Sequence, residues 1–537
     1  MPVPHSGFGR NYGRSLVISQ QGIVATSQAL ASQAGAQILA KGGSAVDAAI
    51  AANAVLGVVE PMMDGIGGDL FVLHWHAKSG KLTGLNGSGP APRGLTPGFL
   101  ASLGVATMPL AGIHAVTVPG AVDGWAQLHQ QFGNLPWDRL FASAIAYADR
   151  GFSVTEAIEE QWTAPISFER LSSHHESARV FLPGGNPPRL GEIFRNPDLA
   201  RAYSSLAEGG SRVFYEGDIS AAILKTSQAL GGTMTAEDLS SFSAEWVEPI
   251  SIDYRGWRVF ELPPNGQGMA ALEMLNIMEA SAAVPEFHKR IEAMKLAYSD
   301  VYRYNADPRT NKVPVATLLS KEHARQRAAL IDPQRANCQV TAAQINSSDT
   351  TYLTVVDREG NIVSWIQSIY SNFGSGITVE GMGFELQNRG AGFTLDPTHP
   401  NVLAGGKRPY HTIIPGFMER GDLHVGFGIM GGPNQPLAHA QLVSNIVDYG
   451  MNLQEALEAP RFTKFGPAGC DLLIESRVSE AELRQLTEMG HELSVRRPYT
   501  QEMGRGQAIM HDSKTGTNYA ASDPRADGAA TPEPIVA

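Results

Sequence analysis

Hydrophobic and polar positions along the chain fall into helix-like and strand-like stretches, separated by many short loops that contain glycine and proline. Strand-like stretches both follow and precede helix-like ones, and sheets sandwiched between helices are the economical way to bury both kinds of element. The pattern therefore predicts an α/β fold. The predicted helices are residues 28–39, 44–57, 121–131, 137–149, 220–230, 270–280, 287–303 and 435–449, and the predicted strands are 70–76, 250–254, 258–262, 352–357, 362–369 and 423–430.

The most apolar stretch of the chain is residues 45–58, AVDAAIAANAVLGV. It is too short to cross a bilayer, and it contains Asp47 and Asn53. Its density of alanine instead indicates a helix that packs closely against a sheet. We therefore predict a buried helix here and no association with a membrane.

Composition suggests a soluble globular protein with a large core, since 43% of the 537 residues are hydrophobic and 18% are charged. The formal charge of −12 argues against binding to nucleic acid or to an anionic membrane surface. Cys338 and Cys470 are too few for a disulfide framework and fit a reducing compartment. Residues 1–19 contain no apolar signal-peptide core. These features predict a cytoplasmic protein.

Residues 346–368, NSSDTTYLTVVDREGNIVSWIQS, predict a β-hairpin because strand-forming residues flank a Glu-Gly-Asn turn. Counting outward from that turn along an antiparallel ladder places Thr351 opposite Ser368 and Thr350 opposite Ile369. A one-residue bulge would bring Ser368 beside Thr350. The open end of the hairpin is therefore predicted to gather hydroxyl groups.

A second candidate site is the turn Gly431-Gly432-Pro433, which lies between a predicted strand and a helix that starts near Asn434. Such a turn presents backbone N–H groups at a helix start, where they favour a negative charge. An oxyanion hole needs this arrangement. An ordinary strand-to-helix turn would use the same glycines, so the residues by themselves leave both interpretations open.

A hydroxyl needs a base to act as a nucleophile, and no histidine or lysine lies close to Thr350 in the sequence. Cleavage before Thr350 would supply one, because the freed α-amino group has a pKa of roughly 8. A threonine that uses its own N-terminus as the base is a known variant of the catalytic triad. The sequence therefore predicts cleavage between Asp349 and Thr350.

Signals for cofactors and metals are weak. The stretch Gly65-Ile66-Gly67-Gly68-Asp69 looks like a nucleotide fingerprint, but it lacks the third glycine and precedes a strand. His74 and His76 share one face of a strand, and His174-His175-Glu176 lies in a polar run, yet neither has a second group of ligands at zinc spacing. We predict no cofactor and no metal site.

Ordered sequence blocks resemble the γ-glutamyltransferase (glutathione hydrolase) family of N-terminal nucleophile hydrolases. The resemblance implies a four-layer αββα sandwich that cleaves itself into a large subunit, residues 1–349, and a small subunit, residues 350–537, which remain together as a heterodimer. Among these blocks are GGSAVDAAIAANAVLGVVEP and GIGGDLF within 42–71, EAMKLAYSDVYRYNADP at 292–308, DTTYLTVVD at 349–357, GGP at 431–433 and YGMNLQEALEAPRF at 449–462.

The same resemblance assigns roles to single residues. Thr350 matches the nucleophile, which would form an acyl-enzyme with a small amide or peptide substrate. Gly431 and Gly432 match the oxyanion-hole glycines. Ser368 stands where the family has a second threonine that supports the nucleophile.

The residues that hold a γ-glutamyl donor in the family are replaced here. The stretch 85–90, LNGSGP, lacks the family's arginine, and the serine pair and the amino-group ligands are absent from the matching positions. A pocket built to hydrogen-bond one group discriminates strongly against others, so the donor should differ. The replacing residues are Tyr370, Arg389, Gly392, His411 and Thr412.

These departures resemble the branch of the family that contains cephalosporin (glutaryl) acylases and an oxamate amidohydrolase. Arg389, Arg408 and His411 could together receive an acidic acyl group. Structural pairing of the two arginines on the protein is the alternative interpretation.

Three functions stay open on the sequence. The first is hydrolysis or transfer of γ-glutamyl amides such as glutathione, and the second is an amidase or acylase for another small acidic donor of the oxamate or glutaryl type. The third, an inactive binding protein, is disfavoured because Thr350, Ser368, Gly431 and Gly432 occur together. The donor, the balance between hydrolysis and transfer, and any oligomer beyond the two subunits are left open.

Overall fold

Two seven-stranded β-sheets face each other in the computed structural model, which describes residues 12–281, 283–340 and 350–535. The strands are β1 (Val17–Ser19), β2 (Ile23–Thr26), β3 (Asp69–His76), β4 (Lys81–Gly87), β5 (Phe152–Ser153), β6 (Ile193–Phe194), β7 (Glu245–Val247), β8 (Ile250–Tyr254), β9 (Trp257–Glu261), β10 (Thr351–Val356), β11 (Ile362–Ser368), β12 (Gly416–Arg420), β13 (Leu423–Met430), β14 (Phe462–Thr463), β15 (Asp471–Glu475), β16 (Glu492–Arg496), β17 (Arg505–Asp512), β18 (Thr517–Ser522) and β19 (Ala529–Pro532).

The first sheet has the strand order β19-β2-β10-β11-β3-β4-β7, and the second has the order β1-β18-β17-β13-β12-β9-β8. Neighbouring strands are antiparallel throughout both sheets. Each sheet contains strands from before and after residue 350, so both predicted subunits contribute to both sheets. Smaller sheets are formed by β14-β15-β16 and by β5-β6.

The helices pack mainly against the outer faces of the two large sheets. They are α1 (Ala29–Ala40), α2 (Ala45–Val59), α3 (Pro97–Ser102), α4 (Ala121–Phe132), α5 (Ala142–Arg150), α6 (Glu156–Trp162), α7 (Pro165–Ser172), α8 (His175–Phe181), α9 (Pro197–Gly209), α10 (Arg212–Tyr215), α11 (Asp218–Ala229), α12 (Ala236–Ser240), α13 (Gly268–Ala280), α14 (Glu286–Tyr304), α15 (Val315–Leu318), α16 (Lys321–Ala328), α17 (Gln435–Val447), α18 (Leu453–Glu458) and α19 (Glu480–Glu488).

Four layers result from this packing. Helices α1 and α2 pack on the first sheet, while α13 and α17 pack on the second, with α14 beside them. The two sheets pack on each other through β10, β11, β13 and β17. The predicted αββα sandwich is therefore confirmed.

The alanine-rich helix α2 is buried along its whole length. Its N-terminus is closed by a capping box, in which the Ser44 side chain accepts the Asp47 N–H and the Asp47 carboxylate accepts the Ser44 N–H. Small side chains let the neighbouring helix α1 approach so closely that a Cβ on Gly35 would lie 3.1 Å from the Ala48 carbonyl oxygen. Among the residues that the structure describes, no helix is long and apolar enough to cross a membrane.

Glycine also sets the distance between the two sheets. A Cβ on Gly428 of β13 would lie 2.4 Å from the ring of Tyr352 on β10. A Cβ on Gly426 would lie 2.8 Å from the side chains of both Ile362 and Thr354. The hairpin that carries the predicted nucleophile is thus pressed directly onto the strand that leads to the glycine turn.

The predicted elements are found with small shifts at their ends, except that 137–149 divides into a 3₁₀ turn, Trp137–Phe141, and helix α5. The sequence reading missed β17 and β18, which are central to the second sheet. It also missed the helices between residues 156 and 215.

Cys338 and Cys470 form a disulfide, with their Cα atoms 4.9 Å apart. The expectation of reduced cysteines is therefore wrong. The two residues are 132 positions apart in sequence, and only the packing of the three-stranded sheet beside α14 brings them together. Because one cysteine precedes residue 350 and the other follows it, this bond would also tie the two predicted subunits together covalently.

Candidate active site

The open end of the β10–β11 hairpin brings two hydroxyls together. The ladder pairs Thr351 with Gln367, so Thr350 lies opposite Ser368. The Thr350 hydroxyl donates to Ser368 Oγ at 3.3 Å, and both side chains are fully buried. No bulge is needed, because the predicted register was wrong by one residue.

The error in register arises in the turn. Asp357 belongs to the turn rather than to the strand, because its carboxylate accepts the N–H groups of Glu359 and Asn361. The same carboxylate accepts the N–H of Ala45 at the start of α2, at 3.1 Å. The Asp357 N–H donates to the Asn361 carbonyl at 3.1 Å, so Asp357 faces Asn361 rather than Ile362, and every pair on the hairpin moves by one position.

The glycines before β3 permit a close approach to the end of β11. A Cβ on Gly68 would lie 2.5 Å from the Ser368 carbonyl oxygen, and one on Gly67 would lie 2.1 Å from the Glu385 carbonyl oxygen. The stretch that looked like a nucleotide fingerprint therefore has a packing role beside the hydroxyl pair.

The Gly431-Gly432 turn follows β13 and leads into α17. The backbone of Gly431 has φ +135° and that of Gly432 has φ +57°, which are conformations that glycine adopts most easily. Within the described chain, neither glycine N–H donates to another backbone carbonyl. The Gln435 side chain, at the start of α17, reaches Thr350 Oγ at 3.4 Å, so the turn and the hydroxyl pair belong to one site. We call Thr350, Ser368, Gly431, Gly432 and Gln435 the reaction centre.

Gln267 fixes the glycine turn from behind. Its Nε2 donates to the Gly432 carbonyl at 2.9 Å and to the Thr412 carbonyl at 2.6 Å, and its Oε1 accepts the Tyr410 hydroxyl at 2.5 Å. The residue is fully enclosed and satisfies its whole amide in these contacts. It therefore joins the reaction centre to the loop that carries His411 and Thr412.

Next to the hydroxyl pair stands Arg389, which is fully buried. Its guanidinium lies 4.2 Å from the centre of the Tyr370 ring, and the Tyr370 N–H donates to Ser368 Oγ at 2.8 Å. Arg389 Nη1 donates to Thr412 Oγ at 2.8 Å, whereas its Nε and Nη2 have no hydrogen-bond partner among the residues that the structure describes. Burial lowers the pKa of Arg389 to about 10, so it remains a cation at neutral pH.

Tyr370 has φ +83°, an unusual conformation for a residue other than glycine. Such strain persists only where the surroundings enforce it, and it is concentrated at functional sites. Here it turns the chain sharply at the end of β11 and sets the ring under the Arg389 guanidinium.

His411 and Asp69 form a buried pair behind Arg389. His411 Nδ1 accepts the Ile413 N–H, and its Nε2 lies 3.0 Å from Asp69 Oδ2, so Nε2 carries the proton and donates. Burial raises the pKa of Asp69 to about 7, and burial lowers the pKa of His411 well below its ordinary value. We call Tyr370, Arg389, His411, Thr412 and Asp69 the donor wall.

Arg408, the other predicted anion ligand, is engaged elsewhere. Its Nη1 bonds Glu245 at 2.8 Å, and its backbone N–H donates to Asp307. It lines a cavity of about 320 Å³ together with Arg93 and Arg309. The structure thus brings Arg389 and His411 together but gives Arg408 a partner of its own.

The contacts described above do not include Asp349 and His74, two residues that the sequence singled out. Asp349, the residue before the predicted cleavage point, lies outside the described residues. His74 packs against Phe132 with ring centres 4.0 Å apart, and burial lowers its pKa to about 3.

Two groups of potential metal ligands went unnoticed in the sequence. The first is His288, Glu292 and His491, and the second is Glu273, Asp300 and His323, with the ligand atoms of each group within 4.8 Å of one another. Lys295 Nζ lies 2.8 Å from Glu292 Oε1, and Arg327 Nε donates to Asp300 at 2.7 Å, so a cation already balances a carboxylate in each group. In the first group the two histidines also bond each other.

Sequence reasoning also missed Asp69, Gln267 and Gln435. Asp69 directly follows a glycine pair, and Gln435 lies three residues after another. These positions next to close-packed turns were the only local signal. Gln267 lies more than 80 residues from Thr350, and the glycines on either side of it, Gly266 and Gly268, were the same weak signal.

Comparison with known proteins identifies the family. The family model described as Gamma-glutamyltranspeptidase matches residues 31–533. The chain belongs to the gamma-glutamyltranspeptidase family. This confirms the resemblance seen in the sequence.

Individual relatives cover nearly the whole chain. The chain is 36% identical over 526 residues to the glutathione hydrolase-like YwrD proenzyme of Bacillus subtilis, covering 96% of this chain and 99% of the relative. It is 35% identical over 532 residues to the oxamate amidohydrolase proenzyme of Klebsiella pneumoniae, covering 96% and 98%. The crystal structure of cephalosporin acylase from Bacillus halodurans superposes with a TM-score of 0.91 at 42% identity, covering 99% of both chains.

These relatives share a common type. They are named as a glutathione hydrolase-like protein, an amidohydrolase and an acylase, and the two sequence relatives are named as proenzymes. By family, the chain is accordingly an enzyme of this hydrolase type that is made as a proenzyme, which points to a processed, two-subunit form.

Proposed function

We propose that this protein is a self-processing amidohydrolase that uses Thr350 as its N-terminal nucleophile and cleaves amides of small acidic acyl donors. Residues 1–349 and 350–537 would be its two subunits. Hydrolysis of γ-glutamyl amides is the competing function, favoured by the name of the Bacillus subtilis relative.

The observation that carries the proposal is the unpaired edge of Arg389. Nε and Nη2 lie on the same edge of a guanidinium, which is the edge that binds both oxygens of a carboxylate. In a fully buried side chain, leaving both donors unsatisfied costs free energy. A substrate carboxylate at this edge would satisfy them, and it would be linked to the hydroxyl pair through Tyr370, whose ring lies under Arg389 and whose N–H donates to Ser368 Oγ.

A γ-glutamyl donor would bring an α-ammonium as well as a carboxylate. In the donor wall the carboxylate that could receive an ammonium is Asp69, which is already bonded to His411, Gly89 and Gln387. The cationic Arg389 next to it would repel the ammonium. The charges therefore favour a donor with the carboxylate alone.

Maturation and turnover would use the same chemistry. Thr350 Oγ attacks the carbonyl carbon of residue 349, and the peptide C–N bond breaks, which leaves an ester on Oγ and frees the α-amino group of Thr350. Water then hydrolyses the ester, which separates the two chains as a carboxylic acid on residue 349 and a free Thr350 hydroxyl. In turnover the α-amino group takes the Thr350 hydroxyl proton as Oγ attacks the donor amide, and passes it to the amine that leaves. Water then adds to the acyl-enzyme, and Oγ regains its proton as the acid departs.

The two N–H groups of the glycine turn would hold the negative oxygen that forms in each attack. Such donors are effective because they are already oriented when the charge appears. The positive φ angles of Gly431 and Gly432 give the turn this orientation without a side chain in the way.

The test compares glutaryl-p-nitroanilide with γ-glutamyl-p-nitroanilide, which differ by one α-ammonium, together with oxamate and a neutral acyl anilide. We expect the acidic amides to be preferred over both the γ-glutamyl and the neutral compounds. Arg389→Met should lower kcat/KM for the acidic donor by roughly 10- to 150-fold, the cost of a charged hydrogen bond, while leaving self-cleavage intact.

Arg408→Met is the matched control, since Arg408 is equally buried but bonds Glu245. It should change kcat/KM much less than Arg389→Met. Preferential turnover of the γ-glutamyl compound that is indifferent to Arg389→Met would contradict the acidic-donor proposal and favour ordinary γ-glutamyl chemistry.

A further inference from the structure

Gln435 is the first residue of α17 and is fully buried. Its Oε1 accepts the N–H of Ile414 at 3.0 Å, and its Nε2 points at Thr350 Oγ at 3.4 Å. A backbone N–H can bond only the oxygen of an amide, so the contact with Ile414 fixes which end of the side chain faces Thr350. The end that faces Thr350 is therefore a pure hydrogen-bond donor.

We propose that Gln435 is a further catalytic residue, which donates an Nε2–H bond to Thr350 Oγ during the amide hydrolysis proposed above. This inference rests on that function, because it needs Thr350 to be the nucleophile. It assigns to the helix start a role that differs from that of the glycine turn: the glycines face the substrate oxygen, and Gln435 faces the nucleophile oxygen.

The contacts around Thr350 Oγ explain what the donor would do. The Thr350 hydroxyl donates a hydrogen bond to Ser368 Oγ and accepts one from Gln435 Nε2, so it is held between one acceptor and one donor. At 3.4 Å the bond from Gln435 is longer than an optimal N–H···O bond. It would shorten as the hydroxyl proton leaves and negative charge develops on Oγ, because hydrogen bonds to charged oxygen are shorter and stronger.

The same donor would act a second time. When water has added to the acyl-enzyme, Oγ becomes the leaving group and again gains negative charge. A donor that stays on Oγ throughout therefore assists both the formation and the breakdown of the acyl-enzyme without touching the acyl group.

A purely structural role is the alternative, in which the Gln435 amide only ties Ile414 to α17. Two substitutions separate these roles. Gln435→Met keeps the length of the side chain but removes the donor and the acceptor. Gln435→Glu keeps an oxygen for the Ile414 N–H, and it donates to Oγ only when its carboxyl group is protonated.

The first experiment measures kcat, self-cleavage and thermal stability for Gln435→Met beside Gln441→Met. Gln441 lies on the same helix, is also buried, and bonds Leu437 and Phe462 instead of Thr350. We expect Gln435→Met to lower kcat and the rate of self-cleavage by roughly 10- to 100-fold, the loss of one hydrogen bond to a charged group. Binding of a competing dicarboxylate should be unchanged, and Gln441→Met should lose stability without this drop in rate.

The second experiment records the activity of Gln435→Glu relative to the wild type against pH. The ratio should fall as pH rises, because the ionised carboxylate cannot donate and repels the charge on Oγ. A structural role would leave the ratio constant with pH.

The outcomes are distinct. A wild type that cleaves itself and turns over amides, with Gln435→Met as fast as Gln441→Met or a flat ratio for Gln435→Glu, overturns the inference alone. A wild type that stays uncut and inactive overturns the proposed function and this inference together. Because self-cleavage needs no added donor, slow self-cleavage in Gln435→Met supports the inference even if the acidic-donor class proves wrong.

Discussion

The reaction centre and the donor wall adjoin each other but are held in place by different means. Thr350 and Ser368 are placed by the register of one hairpin, and Gly431 and Gly432 by a turn between a strand and a helix. Arg389 is placed by a side-chain bond to Thr412, 23 positions along the chain, and His411 by one to Asp69 at the start of β3, 342 positions away.

This difference suggests why relatives with closely similar folds carry different substrate names, among them glutathione hydrolase-like, oxamate amidohydrolase and cephalosporin acylase. Backbone geometry cannot change without disturbing a whole sheet, whereas side chains in loops can be exchanged one at a time. The reaction centre should therefore be sensitive to any change, and the donor wall should alter selectivity before it alters chemistry.

The largest effect is expected for Thr350→Ala, a substitution in the reaction centre. We expect the variant to stay a single 57.4 kDa chain and to lose activity by about 10⁴-fold or more, since the nucleophile for both cleavage and turnover is gone. Intact mass spectrometry and amide turnover measure this. Thr351→Ala is the control and should still be cut, giving a small chain that begins at Thr350; a chain that begins at residue 351 instead would contradict the assignment.

The glycine turn should show the next largest effect. Gly431→Ala places a side chain at φ +135°, so the turn must move. Its N–H groups would then no longer point at the negative oxygen that forms in the attack. The expected loss in kcat is roughly 10²- to 10³-fold, as for removal of an oxyanion donor. Gly421→Ala is the strain control, because Gly421 has φ +59° with open space around it in the β12–β13 turn. An equal loss in both variants would argue against an oxyanion hole.

The donor wall should respond to pH through Asp69. Burial raises the pKa of Asp69 to about 7, so the group is neutral below that pH and becomes an anion above it. The negative charge on ionised Asp69 offsets the positive charge of Arg389, which stays cationic because its pKa is about 10. His411 stays neutral, because burial lowers its pKa. The affinity for a dicarboxylate competitor should therefore fall by roughly 10-fold as pH rises from 6 to 8.

Calorimetric titration of glutarate at several pH values measures this change in affinity. Binding to Asp69→Asn should be nearly independent of pH over the same range, because that side chain does not titrate. Wild-type binding with no slope, or the same slope in both proteins, would show that Asp69 does not control the charge of the donor wall.

The smallest expected effect on rate is that of the disulfide. Cys470 contacts Lys295 rather than the reaction centre, so Cys338→Ser should leave kcat unchanged. On a denaturing gel without reductant the matured wild type should run as one band, and with reductant it should separate into the chains 1–349 and 350–537. Cys338→Ser should separate in both cases. Two bands from the wild type without reductant would contradict a covalent link between the subunits.

The sequence determined much of the fold and part of the reaction centre. The buried helix α2, the β10–β11 hairpin and β13 with its glycine turn were all readable, because each depends on residues that are neighbours in the chain. Thr350, Ser368, Gly431 and Gly432 were predicted from local patterns together with the family resemblance, and their roles stay predictions. The strands β17 and β18 have weaker local patterns and were missed, even though both are interior strands of the second sheet.

The tertiary structure decided the rest. It brought the Asp357 carboxylate to the start of α2, more than 300 positions away in sequence, and it joined Cys338 to Cys470. It gave Arg408 a partner in Glu245 and left an edge of Arg389 unpaired. Such contacts depend on which distant side chains the folded chain brings within hydrogen-bonding distance, and a local pattern carries no information about them.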